Sequence, residues 1–90
     1  MIRVRFSREF DESLDALRPK DAARARASVE RLLAYFDGGP RPLGLGLRKL
    51  KSGYWEVRAG LDRRVLFSLE SDLATFVIVG NHDEIRRRLR

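Results

Sequence analysis

Ninety residues make one domain, spanning 1–90, with room for one modest core between a sheet and a helical layer. The lack of cysteine excludes disulfides and thiolate metal sites and fits a reducing, cytoplasmic setting; no apolar run nears the roughly 20 residues of a membrane helix, and MIRVRF is too short and too charged for a secretory signal. The net charge of +6 is uneven: residues 1–40 hold eight Lys/Arg against seven Asp/Glu, and residues 41–90 hold eleven against six.

The excess is mostly arginine, which matches phosphate in a bidentate way and keeps its charge at any physiological pH. It points to a polyanionic partner such as nucleic acid. A solvated surface written in arginine rather than lysine would give the same composition.

Ile2–Phe6 sets Ile2, Val4 and Phe6 against Arg3 and Arg5, the pattern of a half-buried strand with a basic outer side. Ser7 offers a helix N-cap, with Glu9, Asp11 and Glu12 near the positive end. Phe10, Leu14 and Leu17 form one apolar stripe. Arg18-Pro19 ends this helix and opens the next. Ala22, Ala25, Val29, Leu32, Leu33 and Phe36 keep a helical period to about Tyr35, and Asp37-Gly38-Gly39-Pro40 stops it. The two helices read as a hairpin laid on a sheet. Lys20, Arg24, Arg26 and Arg31 are left to solvent or to a large anionic partner.

Arg41–Gly46, RPLGLG, reads as a loop with two conformationally free glycines. Leu47 to Gly80 then reads as consecutive antiparallel strands. Leu47–Lys51 is a short strand carrying Arg48, Lys49 and Lys51. Turns fall at Ser52-Gly53, Gly60–Asp62 and Glu70-Ser71-Asp72. Trp55, Val57 and Ala59 point one way, and Tyr54, Glu56 and Arg58 the other. Arg63, Val65, Phe67 and Leu69 oppose Arg64, Leu66, Ser68 and Glu70 in the same manner. With the apolar sets in the core, Glu56, Arg58, Arg64 and Ser68 share the open face. Leu73–Val79 is apolar on both sides apart from Thr75, as in a strand covered above and below.

Asn81 and Glu84 fit a capping box at the start of a last helical turn. Arg86, Arg87, Arg88 and Arg90 suit its negative end. The single His82, flanked by acids, is poor ligand spacing, so no metal or cofactor is expected. The fold class is α+β: β-α-α-β-β-β-β, a helical hairpin packed on a mainly antiparallel twisted sheet, plus a short C-terminal helix.

KLKSGYWEVRAGLDRRVLF followed by FVIVGNHDEIRR resembles the RelE/ParE superfamily of type II toxin–antitoxin toxins, and within it the RelE- and HigB-like branch. The resemblance spans the whole chain and lies in the order and spacing of several weak motifs. It implies a small basic toxin that cuts messenger RNA at the ribosome without metal, and a cognate antitoxin as protein partner, with no membrane and no small-molecule cofactor. Lys49 and Lys51 match the cationic positions before the first turn. Glu56 and Arg58 match polar positions of the W-E-x-R strand. Arg64 matches the arginine of Y-R-V, and His82 falls near the His or Arg after the last strand. The tyrosine of Y-R-V is Arg63 here. No tyrosine follows Tyr54, and Arg86 stands where a helical tyrosine is looked for.

Metal-free RNA cleavage uses the substrate's 2′-hydroxyl as nucleophile. It needs a base, cations for the charged phosphorane and an acid for the 5′ oxygen. Arginine suits the middle task and imidazole the proton transfers. The resulting assignment has Arg58 and Arg64 on the phosphate and His82 with Glu56 on the protons. Arg48, Lys49, Lys51 and Arg86 steer the RNA, and Tyr54 is placed to stack on a base. Two rival readings remain open: a ParE-like inhibitor of DNA gyrase, and a non-catalytic antitoxin-binding module.

Overall fold

The computed structural model describes residues 2–90. Strand β1 (Arg3–Phe6) leads into helices α1 (Arg8–Asp15) and α2 (Pro19–Phe36). Strands β2 (Arg48–Lys49), β3 (Tyr54–Arg58), β4 (Arg63–Glu70) and β5 (Leu73–Asn81) follow, then helix α3 (His82–Arg88). The sheet order is β1-β5-β4-β3-β2. Among the described residues only β1–β5 is parallel; the other pairs are antiparallel.

The local signals act as their chemistry dictates. The Ser7 hydroxyl accepts from the Phe10 N–H at 3.0 Å and caps α1. Pro19 opens α2, and Asp37 ends it before Gly38 at φ +97°. Ser52 and Gly53 both have positive φ, as a tight hairpin turn in a right-twisted ribbon requires. That turn starts early: β2 is only Arg48–Lys49, and the Leu50 and Tyr54 amides are used in the turn.

The hairpin α1–α2 covers one face. Phe10, Ala25, Val29 and Leu32 pack there on Val57, Val65, Phe67, Ala74, Phe76 and Val79. Leu45, from the 41–47 loop, is buried in the same core. On the other face α3 sets Ile85 and Leu89 against Leu66, Val77, Ile78 and Tyr54. The outer face is therefore not wholly open: α3 closes its β4–β5 part and leaves the end formed by β2, β3 and the start of β4.

A bulge in β5 makes this double coverage possible. Leu66 pairs with Ile78 and Phe67 with Phe76, so Val77 is the extra residue. Val77 and Ile78 both join the α3 cluster, and Val79 returns to the helical core with Ala74 and Phe76.

β1 is an edge strand and all four of its residues are exposed, more so than the half-buried pattern expected. One pairing partner is too few to cover it, although Phe6 stacks on Phe76 with centroids 5.2 Å apart. Arg3 anchors the edge through Asp72, donating from its guanidinium at 2.9 Å and from its backbone N–H at 2.6 Å. The side-chain hydrogen bond raises the Arg3 pKa and holds the Asp72 carboxyl below its ordinary value. Beyond Phe6, α1 takes over this edge. Ser7 Oγ donates to the Val77 carbonyl at 2.9 Å, and the Val79 N–H donates to Ser13 Oγ at 3.0 Å.

Candidate active site

Arg58 and Arg64 are direct partners across β3 and β4. The Ala59 N–H donates to the Arg63 carbonyl at 2.8 Å, which makes 58–64 a non-hydrogen-bonded pair. Its Cα atoms lie about 4.5 Å apart with side chains leaving the same face. Like charges placed this way repel, and Glu56 offsets them. Its Oε2 accepts from Arg64 Nε at 3.1 Å and lies 3.6 Å from Arg48 Nε. Glu56 is 4% exposed. Arg48, its direct partner on β2, covers it from the other side. Two guanidiniums thus hold one carboxylate, and Arg58 makes no ion pair among the described residues.

His82 reaches the same neighbourhood from the first turn of α3. An open cleft of about 390 Å³ is lined by Arg64, Asp62, Asn81, His82 and Asp83, with Leu61 at its rim. Gly80 makes this approach possible. It is the partner of Arg64 on β5, and a Cβ there would stand 3.0 Å from Glu84 Cβ. Glycine lets α3 fold down where Asn81 and Glu84 exchange their two 2.9 Å capping hydrogen bonds.

No protein-family model matches the sequence, and no curated protein matches it. Solved structures do match the fold. The RelE toxin of the RelB–RelE complex from Methanococcus jannaschii superposes with a TM-score of 0.70 at 18% identity, over 96% of this chain and 99% of that one. YafQ from E. coli gives 0.67 at 16% identity, over 94% and 98%. The RelBE2 toxin–antitoxin complex from Mycobacterium tuberculosis gives 0.59 at 24% identity, over 90% and 98%. The fold is that of the RelE and YafQ toxins.

On this RelE-like fold the residues singled out from sequence divide into three groups. Arg48, Glu56, Arg58 and Arg64 form one constellation, and His82 shares a cleft with its Arg64 end. Lys51 and Arg86 meet elsewhere, lining a basic cavity of about 400 Å³ with Arg90 over Leu50 and Leu89. Lys49 lies on the reverse face. It pairs with Trp55, which packs on the helical core, and its Nζ sits 6.0 Å from the centre of that ring. Adjacent strand residues alternate, so Arg48 and Lys49 cannot serve the same face. Tyr54 packs in the α3 cluster, which leaves its ring less free to stack on a base.

Sequence reading missed Asp62, Gly80 and Asn81 as site residues. Asp62 carried only a turn signal and Asn81 only a cap signal. Arg63, at the position of the Y-R-V tyrosine, is tied to Asp21 of α2 at 3.4 Å and fixes the helix layer to the start of β4. The constellation presents guanidinium donors and a carboxylate that orients two of them, and the adjoining cleft adds one imidazole beside Asp62 and Asp83. That set suits an anionic tetrahedral or pentavalent centre.

Proposed function

We propose that this protein is the toxin of a type II toxin–antitoxin pair and a ribosome-dependent endoribonuclease that cleaves messenger RNA without a metal ion. The observation that carries the reading is the cross-strand pair Arg58–Arg64, whose Arg64 is held by a buried glutamate and lines a cleft together with the one histidine of the sequence. The likeness to RelE and YafQ supports it, as does the crystallisation of several of those relatives with antitoxins.

Arg58 and Arg64 grip the non-bridging oxygens of the scissile phosphate, where charge builds as the phosphorane forms. His82 accepts the proton of the substrate's 2′-hydroxyl. The O2′–P bond forms and the P–O5′ bond breaks, leaving a 2′,3′-cyclic phosphate, and the departing 5′ oxygen takes a proton from solvent. Glu56, engaged by two guanidiniums, is a positioning residue for Arg64 in this scheme. Lys51 and Arg86 attract the backbone further along α3. The ribosome orients the strand, so the free protein is a slow nuclease.

Brief expression followed by primer extension on cellular mRNA tests the reading. Cuts inside translated frames are expected, and Arg64→Ala should lower them about 100-fold or more while antitoxin binding persists. Toxicity with supercoiling changes and no cuts would overturn the nuclease reading.

A further inference from the structure

We propose a second phosphate-binding site, beside the cleavage cleft, that holds the backbone of the substrate RNA strand one step away from the scissile bond. It rests on the nuclease reading for the identity of its ligand. The site is an open cavity of about 430 Å³ where α2, the 41–47 loop and the β3–β4 hairpin meet, lined by Arg24, Ser28, Arg31, Gly44, Arg58 and Gly60.

Three arginines from two elements line it, and no carboxylate lines the cavity among the described residues. Their existing partners leave their charge largely uncompensated. Arg24 is only loosely held by Asp21, at 3.7 Å. Arg31 donates to the Leu43 carbonyl at 2.8 Å, which fixes its direction and the loop without neutralising it. Arg58 makes no ion pair among the described residues. The chain is shaped around these groups. Ser28 Oγ donates to the Arg58 carbonyl at 2.7 Å, and the Arg58 N–H donates to the Leu45 carbonyl at 2.7 Å. Gly46, at φ +66°, leaves room for the Arg58 side chain, since a Cβ would stand 3.1 Å from Arg58 Cβ and 3.6 Å from its Nε. Gly44 and Gly60 bring bare backbone to the rim, so a phosphate can come close.

The cavity adjoins the cleavage site in two ways. Arg58 belongs to both, as cavity lining and as the partner of Arg64. Leu61, 93% exposed at the hairpin tip, borders both this cavity and the His82 cleft. A strand with its scissile phosphate at Arg58–Arg64 therefore meets Arg24 and Arg31 as it passes the hairpin, with Leu61 as an apolar surface beneath a base. A partner for the solvated cations of α2 follows from this geometry.

The test is binding of two RNA probes by the purified protein from 50 to 300 mM KCl, read by fluorescence anisotropy. One probe is a cleavage-proof single-stranded 2′-O-methyl oligonucleotide; the other is an RNA hairpin duplex. For Arg24→Gln/Arg31→Gln the single strand should bind about tenfold more weakly at low salt. The slope of log affinity against log salt should fall by about 0.7, one phosphate contact on a single strand. A charge-matched Lys20→Gln/Arg26→Gln variant, altered outside the cavity, should keep the wild-type slope. Circular dichroism melts confirm that both variants fold. An unchanged slope in the first variant, an equal loss in the second, or a loss confined to the duplex would each overturn the proposal. Since the single-strand probe is never cut, a slope that depends on Arg24 and Arg31 together with a failed primer-extension test would sink the nuclease alone.

Discussion

Replacing Glu56 by glutamine tests the electrostatic core of the site. The Glu56 side chain is 6% exposed and takes Arg64 at 3.1 Å and Arg48 at 3.6 Å. Removing one partner from a fully buried pair costs about 3–5 kcal/mol. Here the Arg48 side chain is 63% exposed and Arg64 22%, so solvent shares the load. Glutamine also keeps one acceptor oxygen for Arg64. The loss is then the difference between a charged and a neutral hydrogen bond, about 1–2 kcal/mol. In a domain of this size it lowers the melting temperature by roughly 5–15 °C. Cleavage should fall about tenfold as Arg64 loses its fixed direction, a loss of about 1.4 kcal/mol in transition-state binding. Thermal melts and primer extension on the same variant give both numbers. Wild-type stability with cleavage reduced as far as in Arg64→Ala would refute the reasoning, because Glu56 would then be acting on the substrate. Wild-type stability with full cleavage would equally dismiss the ion pair as an organiser.

Asn81→Ala removes the helix cap and half of the capping box; it should cost about 1 kcal/mol and loosen α3, read as a lower melting temperature and faster amide exchange over residues 82–88. Gly46→Ala places a Cβ at 3.1 Å from Arg58 Cβ at a positive φ, so it should destabilise the loop and weaken RNA binding and cleavage together; a variant that melts lower but cleaves normally would detach this loop from the site. The Arg3–Asp72 pair has a defined pH signature. The Asp72 pKa is lowered in the fold, chiefly by its hydrogen bond to Arg3, so the pair's stability is present above the ordinary carboxylate pKa and is lost as pH falls through the lowered one. Asp72→Asn should show a smaller drop in melting temperature between pH 5 and pH 2 than wild type, and identical curves would mean that the exposed pair is fully screened.

Much of this molecule is legible in one dimension because its cues are local. Serine before an acidic first turn, proline at the head of α2, Ser-Gly in a tight turn and Asn-x-x-Glu before a short helix each fix a few dihedrals whatever surrounds them. Period-two alternation assigned Arg58 and Arg64 to one face, since successive side chains in a strand must point oppositely. The same rule separates Arg48 from Lys49, once β2 is known to align with Glu56 and Trp55.

What the chain order could not decide is what depends on distant partners. Pairing of β1 alongside β5 rather than beside β2 is a matter of register between residues some seventy positions apart. The bulge at Val77 answers to two cores at once, one beneath each face. Docking of α3 turned part of an expected open face into a covered one, and it set His82 near Arg64. The gathering of Arg24, Arg31 and Arg58 around one cavity joins a helix to a strand end with a loop between them. Local patterns choose a residue's conformation and its side of an element, but which charges become neighbours is settled only when the layers pack.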